Sequence, residues 1–229
     1  MTRSRLTKIV RGIAISAAVA LGALYVGWLV KLPEDGFVPG SFVTHSVMLV
    51  AAVALIRLWS GRSFADFGFT RGTYRFRPRI LLWVLPTAVL SSLAALVPTP
   101  GGTERVVTGQ TQLQLVLFVW FYASVCEEVL TRGLLQSLVT GSSGGGGAPA
   151  RFSMPVMVSG LFFGAMHLVL IDSMGSSAAV PIVLATLLGF LAARYRETTG
   201  SLIPAIVVHA LFNVGGMLPG WVMGWLGTK

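Results

Sequence analysis

Two adjacent carboxylates and an arginine stand in the stretch CEEVLTRG, Cys126 to Gly133, inside an otherwise almost wholly apolar run over residues 113–139. Ionisable groups in an apolar span are costly unless they are paired or face water, so each is a candidate for function. Asn213 lies on another apolar run, four residues after a histidine. The remaining ionisable groups of this kind are His45, His167 and His209.

Helical spacing assigns different roles to the two glutamates. Glu128 and Arg132 are four residues apart, so they share a helix face and can form an ion pair. Glu127 is turned about 100° from Glu128 and has no basic residue three or four positions along its own helix. It therefore needs a partner from another helix. His209 and Asn213, also four apart, present an imidazole and an amide to the same side.

The polar groups fall at similar depths in their apolar runs. At about 1.5 Å per helical residue, the depths from the cytoplasmic ends are about 20 Å for Glu127, 24 Å for His167, 14 Å for His209 and 20 Å for Asn213. Three helices thus place polar groups in one layer, which predicts a shared water-filled pocket. His45 lies about 18 Å deep. We interpret it first as a histidine satisfied by a neighbouring helix, with a role in the pocket as the alternative.

A carboxylate, two imidazoles and an amide suit hydrolysis of a peptide bond. Glu127 is a candidate general base for water, and the imidazoles can orient that water, protonate the leaving amine or bind a metal. The Asn213 amide is suited to a developing oxyanion. Two histidines and a carboxylate also form a known zinc set, here His167, His209 and Glu127, although the soluble His-Glu-x-x-His arrangement is absent. Metal-free chemistry is favoured because asparagine is a poor zinc ligand, and zinc is kept as the alternative.

The composition predicts the scaffold that positions these residues. With 54% hydrophobic and 11% charged residues, the chain is too apolar for a soluble globule. We predict an all-α, polytopic transmembrane helix bundle with about seven spans, the first of them a retained helix rather than a cleaved signal peptide. The apolar runs cover residues 9–30, 37–56, 80–97, 113–139, 152–171, 178–193 and 202–226, the last interrupted by glycines and a proline.

The positive charge indicates orientation and partners. Most of the 17 Lys and Arg residues fall in loops that become cytoplasmic if the N-terminus is cytoplasmic. Membrane lipids are therefore expected partners, and the net charge of +9 is explained by arginines facing anionic headgroups. Nothing in the sequence favours nucleic-acid binding. The basic loop over residues 59–79 is predicted to lie at the interface, with its aromatic side chains in the headgroup layer.

Three motifs resemble those of the CAAX-protease and bacteriocin-processing membrane proteins, the CPBP or Abi family of intramembrane proteases. They are Glu-Glu-x-x-x-Arg at Glu127 to Arg132, Phe-x-x-x-His at Phe163 to His167 and His-x-x-x-Asn at His209 to Asn213. Each is weak alone, but their occurrence in this order on separate apolar runs is specific. The resemblance divides the chain into N-terminal helices (1–112), a CPBP-like catalytic core (113–216) and a C-terminal helix or tail (217–229).

The resemblance implies an intramembrane endopeptidase. In such an enzyme Glu127 would activate water and His167 would assist it, while His209 and Asn213 would stabilise the oxyanion. The pair Glu128–Arg132 would hold the helix geometry. Similar proteins include eukaryotic prenyl endopeptidases that trim lipidated CAAX proteins and bacterial proteins linked to bacteriocin maturation or self-immunity. The expected substrate is a membrane-associated peptide or protein, and the expected location is the plasma membrane of a prokaryote.

Two other classes of function use similar residues. A transporter or proton relay would place polar groups at several depths and often has related halves, whereas here they concentrate in one layer without a visible repeat. A non-catalytic interaction or immunity protein would keep the motifs without turnover. Activity distinguishes this last class from a protease.

Overall fold

The computed structural model describes residues 3–33, 36–59, 61–72, 82, 84, 86, 111–140 and 153–225. Within these ranges the chain is helical and has no strand, which confirms the all-α prediction. The helices are α1 (Arg3–Leu29), α2 (Ser41–Leu58), α3 (Gln112–Thr140), α4 (Met154–Met166), α5 (Leu170–Met174), α6 (Ala179–Thr199) and α7 (Ile203–Trp225).

Five helical stretches in the described ranges are long and apolar enough to cross a membrane. They are α1, α2, α3, Met154–Asp172 and α6, and a shorter apolar stretch covers Ile203–Gly215. The predicted run 80–97 lies almost wholly outside the described residues, so seven spans and a cytoplasmic N-terminus stay predictions. α7 extends through the glycines and the proline of the last apolar run and ends at Trp225.

α3 departs from regular α-helical geometry on both sides of the two glutamates. Its hydrogen bonds are π-type over Leu115–Ala123 and Val129–Leu135, and an α-helical turn, Ser124–Glu128, lies between them. π-type turns are rare and frequently occur at functional sites. A π-type turn contains more residues than an α-helical turn, which changes the side chains that share a face. The rotation of about 100° per residue assumed from the sequence therefore applies only to the α-helical turn Ser124–Glu128.

α3 packs in the middle of the bundle, and its second half is buried throughout from Glu128 to Val139. One apolar cluster joins it to α1 and α2 through Ala23, Ala52 and Leu130, among others. A second cluster joins α4, α6 and α7. Since lipid is as apolar as leucine, these contacts stabilise the bundle by close packing rather than by removal from water.

Helices α4 and α6 approach each other closely at Gly160. A methyl group on Gly160 would collide with the Phe190 ring, and a methyl group on Gly189 would lie 2.8 Å from the Gly160 carbonyl oxygen. Both positions therefore need glycine. Because His167 follows on α4, this contact also determines where that histidine lies relative to α6.

We expect Gly160→Val to destabilise the protein by about 1–3 kcal/mol, because the added side chain forces α4 and α6 apart. The measurement is the midpoint of thermal unfolding in detergent micelles. Gly22→Val on α1 is the matched control, since no described atom lies within 4 Å of a methyl group there. Equal shifts for the two variants would contradict the inferred close contact.

The loop after α2 packs on the ends of three helices instead of lying at the membrane interface throughout. Phe67 is fully buried beneath the Arg62 guanidinium, which lies 4.4 Å from its ring centroid, although Phe64 and Phe69 are exposed. Arg62 Nη1 donates to the Ser137 carbonyl at 2.9 Å, and Arg196 Nη2 donates to the Asp66 carbonyl at 3.2 Å. The prediction that the aromatics lie in the headgroup layer is therefore wrong for Phe67.

A capping box stabilises the short turn Phe64–Phe67 in this loop. The Asp66 carboxylate accepts hydrogen bonds from the backbone N–H and the hydroxyl of Ser63, and these bonds lower the pKa of Asp66. Gly68 ends the turn with φ of 93°, a conformation that favours glycine. Its carbonyl then accepts a hydrogen bond from Leu202 N at 3.0 Å, which ties the loop to the start of α7.

Candidate active site

Glu127 lies where α3 meets α2 and α7. Its Oε1 is 3.2 Å from Nε2 of His45 on α2, and its Oε2 is 3.8 Å from Nε2 of His209 on α7. Glu127 also interacts electrostatically with His167, on the turn that follows α4. The sequence-based prediction that Glu127 needs a partner from another helix is confirmed.

Glu128 points away from this pair and is sealed in the bundle. Its Oε1 accepts a hydrogen bond from Arg132 Nη1 at 2.8 Å, and both side chains are 0% exposed. The same oxygen is 3.0 Å from His209 Nδ1. The predicted ion pair is thus confirmed, and it holds α7 as well as α3.

Arg132 extends this junction to two further helices. Its Nη2 donates to the Gly189 carbonyl on α6 at 2.8 Å, and its Nη1 also reaches Thr131 Oγ1 at 2.6 Å. The guanidinium carbon lies 4.5 Å from the ring centroid of Phe163 on α4. One fully buried arginine therefore contacts side chains or backbone of α3, α4 and α6 at the level of the site.

Each of the three histidines has its Nδ1 fixed by an acceptor. Nδ1 of His45 lies 2.7 Å from the Ser41 carbonyl, and Nδ1 of His167 lies 2.8 Å from the Phe163 carbonyl. A carbonyl can only accept, so both rings carry hydrogen on Nδ1. His209 Nδ1 lies 3.0 Å from Oε1 of Glu128, which also accepts a hydrogen bond from Arg132, so Nδ1 is the donor there as well. In each ring, Nε2 is therefore the nitrogen that can contact Glu127, water or a substrate.

Phe163 contacts both histidines of the predicted catalytic set. Its ring centroid lies 4.9 Å from that of His167 and 5.3 Å from that of His209, the latter edge to face. Phe163 is fully buried, so its ring is an apolar surface against which both imidazoles pack. The first residue of the Phe-x-x-x-His pattern therefore has a packing role that its spacing alone did not indicate.

Asn213 is anchored to the turn of α3 that precedes Glu127. Its Nδ2 donates to the Val119 carbonyl and to Ser124 Oγ, both at 3.2 Å. Ser124 Oγ in turn donates to the Trp120 carbonyl at 2.6 Å. Asn213 thus lies beside the site as predicted, but both of its amide N–H groups are engaged, and an oxyanion would have to replace one of these acceptors.

Exposure distinguishes the two carboxylates further. The Glu127 side chain is 15% exposed and the His45 side chain 19%, whereas Glu128 is fully enclosed. No hydrogen bond from the described part of the chain reaches Glu127 Oε2. Both Oε2 atoms are buried and accept no hydrogen bond from the described residues, but of the two side chains only that of Glu127 retains any exposure.

The donor set was also tested for a metal. In the described ranges no three His, Cys, Asp or Glu side chains are grouped as a metal site requires, so Glu127, His167 and His209 do not form one as they are placed. Their chemistry would suit zinc, since fixing Nδ1 leaves Nε2 as the ligand atom. As these three side chains are placed, they do not fit a bound metal ion.

His45 is the site residue that the sequence-based interpretation ranked too low. It does bond to a neighbouring helix, as first expected, but the group it contacts is Glu127 itself. Its estimated depth, similar to that of the other polar groups, was the signal that favoured a role in the pocket.

Comparison with family models gives a match over part of the chain. Residues 109–215 match the family described as Type II CAAX prenyl endopeptidase Rce1-like. This range contains all three motifs, with Glu127, His167, His209 and Asn213, whereas His45 lies outside it. Searches of curated proteins and of solved structures gave no match.

Proposed function

From the match of residues 109–215 to the Type II CAAX prenyl endopeptidase Rce1-like family, we propose that the protein is an intramembrane endopeptidase. In this proposal, Glu127 activates the water that attacks the peptide bond. The observation that carries the proposal is the contrast between the two glutamates. Glu127 is partly exposed and lies between the imidazoles of His45 and His209, whereas Glu128 is fully buried against Arg132.

The first step is attack of water on the scissile carbonyl. A water hydrogen-bonded to Glu127 Oε2 gives one proton to the carboxylate while its oxygen forms a bond to the carbonyl carbon. The carbonyl π electrons move to oxygen, and a tetrahedral intermediate with one negative oxygen results. His167 assists by orienting the water through Nε2, because its Nδ1 is occupied by the Phe163 carbonyl.

The second step requires stabilisation of that oxygen. Asn213 donates an N–H that it otherwise shares with Val119 and Ser124. His209 can donate from Nε2 only as an imidazolium, since its Nδ1 is engaged by Glu128. When the carbon–nitrogen bond breaks, the proton held by Glu127 moves to the leaving amine. The products are a new carboxylate and a new amine.

The apolar surface of the helices limits the substrate class we propose. Large apolar side chains such as Leu21, Val50 and Phe121 are exposed on α1, α2 and α3, as expected where helices face lipid. The substrates are therefore membrane-associated peptides or proteins, and the proposed location is the plasma membrane of a prokaryote. Zinc dependence and a non-catalytic immunity function are the alternatives that the experiment below separates.

The test compares new peptide termini in native membranes that contain wild type or Glu127→Gln at matched levels, with and without a chelator. We expect cleavage products that disappear in Glu127→Gln and persist with the chelator. Glu197→Gln, which neutralises a carboxylate in a partly exposed pair on α6, is the control and should retain them. Loss with the chelator would favour zinc. Identical termini for wild type and Glu127→Gln, both folded, would favour the non-catalytic function.

A further inference from the structure

α2 supplies a histidine to the site from outside the family match and outside all three motifs. His45 links the backbone of its own helix to Glu127. Its Nδ1 lies 2.7 Å from the Ser41 carbonyl oxygen, and its Nε2 lies 3.2 Å from Glu127 Oε1. Because Nδ1 donates to the carbonyl, a hydrogen bond from the ring to the ionised Glu127 carboxylate requires a second ring proton, on Nε2.

This bond restricts a side chain that is otherwise free to rotate. A glutamate has three rotatable bonds, and its carboxylate can present either oxygen to the pocket. The His45 ring has two rotatable bonds and is anchored to the backbone of its own helix one turn earlier. With Oε1 held by this ring, Oε2 is the oxygen that faces His209 Nε2 at 3.8 Å.

The position of α2 itself does not depend on His45. Ser46 Oγ lies 2.8 Å from the Tyr122 hydroxyl, and the Phe42 ring stacks on the Tyr122 ring with centroids 4.9 Å apart. Both contacts join α2 to α3 one turn from Glu127. Removing the imidazole therefore leaves the helices docked and frees only the carboxylate.

We propose that His45 is a positioning residue for Glu127, holding Oε1 so that Oε2 stays turned towards His209 Nε2. This inference rests on the proposed function of the same site. Outer partners of this kind change activity by about 10–100-fold when removed, because they orient the group that reacts.

The first arm of the test uses kinetics on a peptide containing a cleavage site identified from the terminus comparison. His45→Asn keeps a short amide but withdraws the donor from Glu127, and we expect kcat to fall about 10–100-fold with KM nearly unchanged. His45→Gln places its amide nitrogen near the position of Nε2 and should restore most of kcat. Ser46→Ala, which removes a neighbouring contact to Tyr122, is the control and should retain kcat.

The second arm does not depend on turnover. Infrared spectra of protein labelled with ¹³C-glutamate identify the Glu127 carboxyl band as the one missing from Glu127→Gln. We expect this band to shift in His45→Asn, to return towards the wild-type position in His45→Gln and to stay in place in Ser46→Ala.

The outcomes separate this inference from the proposed function. If wild type and Glu127→Gln are equally inactive, the protease function fails, and the infrared arm still decides whether His45 holds Glu127. If Glu127→Gln is inactive while His45→Asn keeps wild-type kcat, or changes only KM, the positioning role is overturned. An unmoved Glu127 band in His45→Asn overturns the contact itself.

Discussion

Arg132→Met is expected to lower the free energy of unfolding by about 3–5 kcal/mol, the largest stability effect that we predict for a single substitution. The change removes one partner of a fully buried ion pair and leaves the Glu128 carboxylate without its cation. It also removes the bond to the Gly189 carbonyl and the contact with Phe163, so α6 and α4 lose their link to α3.

The measurement is reversible unfolding in mixed micelles, followed by circular dichroism. Arg194→Met is the matched control, because Arg194 also pairs with a glutamate on its own helix but at the surface, where the two side chains are 32% and 20% exposed. Exposed pairs contribute about 0–1 kcal/mol. Equal losses in the two variants would contradict a special role for the buried pair.

Two further variants separate the contributions to the stability lost in Arg132→Met. Arg132→Lys keeps the charge but cannot hold Glu128, Gly189 and the Phe163 face together, so an intermediate loss is expected. Combining Arg132→Met with Glu128→Gln removes the uncompensated carboxylate and should recover part of the stability. A double variant less stable than Arg132→Met alone would indicate that Glu128 stabilises the fold mainly through His209.

Local spacing predicted the features that a single helix determines. The pair Glu128–Arg132 was predicted from the i, i+4 spacing of a regular helix, and the structure contains it although Arg132 lies in a π-type segment. The need of Glu127 for a partner elsewhere followed from the same geometry. The similar depths of the histidines indicated which helices would supply groups to the pocket, and His45 and His209 contact Glu127.

Tertiary structure determined what the sequence could not predict. The two π-type segments of α3 depend on how its backbone carbonyls are shared with surrounding helices, and no residue pattern in the run specifies them. Phe67 is buried because the loop packs on Ser137, Arg196 and Leu202, which are distant in sequence. The acceptors of Asn213 belong to a helix whose rotation became known only with the structure.

We expect the same substitution at the two neighbouring glutamates to have opposite effects, mainly on kcat at Glu127 and mainly on stability at Glu128. Glu127→Gln should lower kcat by about 10²–10⁴-fold, because an amide cannot accept the proton of the attacking water. Its unfolding midpoint should equal or exceed that of wild type, since the side chain is partly exposed and glutamine can still bond to His45. The measurements are steady-state cleavage of the peptide identified from native membranes and thermal unfolding of the same preparations.

Glu128→Gln is the matched variant, one residue away and identical in chemical change. It leaves Arg132 buried without a counter-charge, so we expect a loss of about 3 kcal/mol or more in the free energy of unfolding. Activity per folded molecule should fall less than in Glu127→Gln, because no water-accessible oxygen is removed. If instead Glu128→Gln abolishes cleavage without destabilising the protein, the assignment of base and structural carboxylate must be exchanged. The burial of Glu128 and its bonds to Arg132 and His209 argue against that exchange, because a general base must be reached by water.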